Sequence, residues 1–141
     1  MVDKAKRLEA AALIEKFEAC QITNFQFQDR FPRSVDPALH AVNDVLWLSY
    51  SDIREHRLDG KHALTPEARN MFERCVLFLR TDIEYTGTRS FVSLSAPIKR
   101  LWNRVLRRQG LVMPASWPFD TAGQLDRAQK GSRVILSVIG C

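Results

Sequence analysis

Apolar residues recur at three- and four-residue intervals from the start of the chain. Ala10, Leu13, Ile14, Phe17 and Cys20 share one face of a helix predicted over about Asp3–Gln21, and the alanines among them favour the helical state. The pattern breaks over Ile22–Val35. There Phe25, Phe27 and Phe31 stand among polar residues, and Pro32 forbids a continuous helix. Residues of about 22–35 therefore read as an aromatic-rich connector closing one end of the core. The alternation at Phe25 and Phe27 also suits a short extended piece, although it has no evident strand partner.

Two further helices announce themselves by their caps. Asp36-Pro37 pairs a side chain that accepts from free amides with a proline that sacrifices no bond. Leu39, Val42, Leu46, Tyr50 and Ile53 then form a stripe, widened by Val45, Trp47 and Leu48, so this helix is expected to be central and to end near Leu58-Asp59-Gly60. Thr65-Pro66-Glu67 repeats the start signal. Ala68, Met71, Phe72, Cys75, Val76 and Leu79 keep the spacing, Leu77 and Phe78 add a second contact side, and the pattern fails by Thr86-Gly87-Thr88.

After a polar loop and the unassigned Phe91, Val92 and Leu94, Ser95-Ala96-Pro97 opens a helix predicted over 97–109. Ile98, Leu101, Trp102, Val105 and Leu106 share one face, Lys99, Arg100, Arg104, Arg107 and Arg108 the other, and Gly110 supplies the stop. Residues 111–141 carry weaker signals. Pro114 and Pro118 bracket Trp117, Phe119 is placed to pack inward, and Asp120 or Thr121 caps a short helix through Gln129, ended by Gly131. Arg133–Ile139 reads as an extended segment or a terminal helix. The expectation is an all-α fold in one helical domain over 1–141, with a four-helix bundle-like core and an additional C-terminal segment.

Composition agrees with a folded chain: 141 residues, 45% hydrophobic, with only six Gly and six Pro. The apolar runs fall far short of the roughly 20 residues a membrane-spanning helix needs, and no secretory core is evident near the start. The three cysteines, Cys20, Cys75 and Cys141, are scattered and form no metal-binding spacing. These features point to a cytoplasmic protein in which Cys20 and Cys75 are core residues and Cys141 is an exposed thiol.

A net charge of +5 becomes informative through its placement, because the five cations of Lys99–Arg108 have no carboxylate among them. Solvent faces ordinarily mix both signs, so this segment suits an acidic protein partner or the phosphates of a nucleic acid. Phosphate contact is favoured over base readout, since no tight helix-turn-helix precedes it. Insertion at a membrane surface competes with the core for the same apolar face.

The second candidate is the polar stretch holding Asp52, Arg54, His56, Arg57 and His62. Asp52 and His56 would share a helix face, as would His40 and Asp44, a spacing able to orient an imidazole or begin a metal site. Two ligands do not complete one. Asp82, Glu84 and Tyr85 are expected to pair with Arg54, Arg57 or Arg80. Cys75 lies on a buried stripe, no serine has a nucleophile-elbow context, and no glycine-rich phosphate loop occurs, so no catalytic residue, cofactor or metal is assigned.

The leading expectation is a non-enzymatic interaction or regulatory module whose basic helix faces an acidic partner. Nucleic-acid binding through the same face is the alternative, and a metal-dependent enzyme near Asp52 and His56 the third. A second copy of the chain is a further candidate partner for the strongly apolar second and third helices.

Overall fold

The computed structural model describes residues 1–87 and 114–139, with side chains through Ser132. The described residues form five α-helices and no strand: α1 Lys4–Glu18, α2 Asn24–Arg30, α3 Pro37–Trp47, α4 Pro66–Leu79 and α5 Ala122–Ile139. A short 3-10 turn, Gly60–His62, lies between α3 and α4. The helix predicted over 97–109 lies outside the described residues, as do Phe91, Val92, Leu94, Trp102 and Cys141.

α1 packs chiefly against α4, with α2 on α1, and with α3 and α5 on α4. The contact layer is the one the periodicity selects. Ala10, Ile14 and Phe17 from α1 meet Leu39, Val42 and Leu46 from α3 and Phe72, Cys75 and Leu79 from α4, all fully buried. Phe17 is its centre, stacked on Phe27 at 4.7 Å and set edge-on to Tyr50 at 5.2 Å. Truncating such a buried ring costs about 3–5 kcal/mol. Burial also raises the Cys75 thiol far above its ordinary value, leaving a small apolar core residue rather than a nucleophile.

Four local expectations are corrected. The connector over 22–35 contains α2, nucleated by a capping box in which Thr23 Oγ1 accepts from the Gln26 amide and Gln26 Oε1 accepts from the Thr23 amide. Phe27 enters the core from this helix, whereas Phe25 stays exposed. α1 ends at Glu18 in a Schellman arrangement, with Cys20 at φ +58°, its amide donating to Phe17 O and the Gln21 amide to Lys16 O.

α3 stops at Trp47, not near Gly60. Its successor residues find other partners for their backbone, since buried Asn24 donates to Ser51 O and Arg54 O and accepts from the His56 amide. Tyr50 still enters the core, but Ile53 is 76% exposed. Finally, α5 runs through Gly131 without the predicted stop, and of the two readings for the tail to Ile139 the terminal helix is the one found.

Candidate functional site

Three groups of charged residues bear on function, and the structure treats them differently. The first was not singled out from the sequence. Arg7 lies on the apolar stripe of α1 and is completely buried. Its Nε and Nη2 donate to the two carboxylate oxygens of Asp36 at 2.6 and 3.1 Å, and Nη1 donates to Ile83 O at 2.7 Å. The guanidinium also lies 5.3 Å from the centre of the Phe78 ring. Asp36 is simultaneously the N-cap of α3, accepting from the Ala38 amide, and it accepts the Asp3 amide. Burial alone would raise the Asp36 pKa, but the Arg7 hydrogen bond and the two amides outweigh it and hold the carboxyl below its usual range. The pair joins α1, the start of α3 and the chain after α4. Every strong acceptor site is used, which suits a structural clasp.

The second group is the predicted polar site. Asp52, Arg54, His56 and Arg57 lie in the non-helical chain after α3, so the i,i+4 relation of Asp52 and His56 does not apply. Arg54 and Arg57 are exposed, while Asp52, His56 and His62 are half-buried. The loop nevertheless brings two of these residues together, stacking the His56 and His62 rings at 4.0 Å with 23° between their planes. His56 Nδ1 lies 2.9 Å from Arg54 O, and a carbonyl only accepts, so Nδ1 carries the proton. Nε2 is buried without a hydrogen-bond partner. Imidazole lone pairs lie in the ring planes, so nearly parallel stacked rings do not aim them at one ion between them. Among the described residues no three His, Cys, Asp or Glu side chains converge as a metal site. His40 of the other predicted pair donates through Nε2 to Ser34 O at 2.8 Å.

The residues after α4 do not pair with Arg54 or Arg57 as anticipated. Asp82 meets Lys4 at 2.7 Å, Glu84 lies 3.4 Å from the N-terminal amine, and Arg80 meets Glu15 at 2.7 Å. Tyr85 takes the Trp117 indole N–H at 3.4 Å, Phe119 packs edge-on against Phe78, and Thr86 donates to Asp120. The chain on both sides of residues 88–113 is thereby anchored at the C-terminal end of α4. Lys99, Arg100, Arg104, Arg107 and Arg108 lie outside the described residues.

The third group lines an open cleft of about 540 Å³ between α1, α4 and α5. Its lining includes Val76, Leu77 and Leu125 together with Glu15, Glu18, Glu73, Arg74 and Arg80. Both arginines are engaged, Arg80 with Glu15 and Arg74 Nε with Trp117 O at 2.9 Å. Glu18 is held above its ordinary pKa, first by partial burial and then by the neighbouring Glu73 carboxylate, with Arg69 offsetting part of the effect. Periodicity could not show this group, because Glu15, Glu18 and Glu73 are ordinary polar positions on their own helices.

Comparison with protein families, with curated proteins and with solved structures gave no match. No helix among the described residues is long and apolar enough to cross a membrane.

Proposed function

We propose that this chain is a non-enzymatic interaction module that contacts an acidic protein through Lys99, Arg100, Arg104, Arg107 and Arg108. The observation that carries this reading is the block of five cations without an intervening carboxylate. Among the described residues Arg7 pairs with Asp36, Arg80 with Glu15, Lys4 with Asp82, Lys6 with Glu9 and Lys130 with Asp126. A block of one sign in the sequence attracts charge of the opposite sign. The chain flanking the block is fixed on α4 by Tyr85, Thr86, Trp117 and Phe119, which offers a rigid base for presenting it. Completion of a four-helix bundle-like core by the 97–109 segment, with its apolar face inward, belongs to the same reading.

The second reading, binding of DNA or RNA phosphates, rests on the same cations. The two part in a fluorescence-polarisation titration of the full chain against a polyglutamate peptide and against a DNA duplex, each at 50 and 200 mM salt. The protein reading expects saturable peptide binding that disappears when the five cations are replaced by alanine. Duplex binding falling about 10³-fold or more between those salt concentrations, without peptide binding, replaces it with the nucleic-acid reading. Binding of neither probe at low salt removes both.

A further inference from the structure

We draw no further inference here: the strongest candidate, the stacked His56 and His62 rings in the chain between α3 and α4, gathers no third His, Cys, Asp or Glu side chain into a metal site among the described residues, and nothing in the structure shows what covers the pair.

Discussion

Arg7 and Glu18 lie at opposite ends of α1 and meet opposite fates. Arg7 is fully buried, yet it is bound by both oxygens of Asp36 and by a backbone carbonyl. Glu18 is only partly buried, yet burial and then the Glu73 carboxylate work against its charge more than Arg69 favours it. A buried charge survives when its partners are complete, whereas a half-exposed charge left beside its own kind costs stability. The pKa shifts carry the same contrast, with Asp36 lowered and Glu18 raised.

The largest effect should come from dismantling the clasp. Asp36→Asn removes the countercharge while leaving Arg7 buried, and urea unfolding should show a loss of about 3–5 kcal/mol. A loss below about 1 kcal/mol would mean that the carbonyls of Ile83 and Thr81, to which Arg7 Nη1 donates at 2.7 and 3.3 Å, suffice to hold the guanidinium. Acid separates the two regions next. Asp36 titrates below its usual value when folded, so its contribution is complete above about pH 4 and drains away as pH falls through the lower folded value. Glu18 acts with the other sign. Its folded pKa lies above 4.5, so the ionised carboxylate opposes folding, and protonation as pH falls towards that value stabilises. Unfolding free energies measured in steps between pH 6 and 3 should therefore fall steeply only at the acid end in the parent chain, and that steep limb should shrink in Asp36→Asn.

A smaller effect is expected from Asn24→Ala. Asn24 satisfies the carbonyls of Ser51 and Arg54 and the amide of His56, so its loss frees the loop that stacks His56 on His62. The expected cost is about 1–3 kcal/mol, with loss of hydrogen-exchange protection confined to residues around 51–56. Protection lost throughout α1 and α4 instead would make Asn24 part of the global core.

Much of this architecture was readable in the chain. The Asp36-Pro37 and Thr65-Pro66 starts appear where the sequence puts them, and the stripes of α1 and α4 form the core. The misreadings have separate causes, tertiary pairing at the end of α3 and a competing local pattern at α2. α3 was drawn too long because Tyr50 and Ile53 continue its stripe, while the Asn24 side chain claims the backbone beyond Tyr50. α2 was legible in the Thr23-x-x-Gln26 box, but the Phe25/Phe27 alternation masked it. Arg7 also left a signal, as a cation on an apolar stripe with a cap carboxylate elsewhere in the chain. For the candidate sites less was legible. The His56 and His62 contact comes from a loop and the Glu18 and Glu73 approach from packing of α1 on α4, neither of which periodicity encodes.

The neighbouring carboxylates of Glu18 and Glu73 are expected to oppose the fold and not to hold it together. Urea unfolding of E18Q/E73Q beside the parent at pH 7 tests this directly. Removing both charges should leave stability unchanged within about 0.5 kcal/mol or raise it. A loss of about 2 kcal/mol or more would show instead that the two carboxylates hold the helices together.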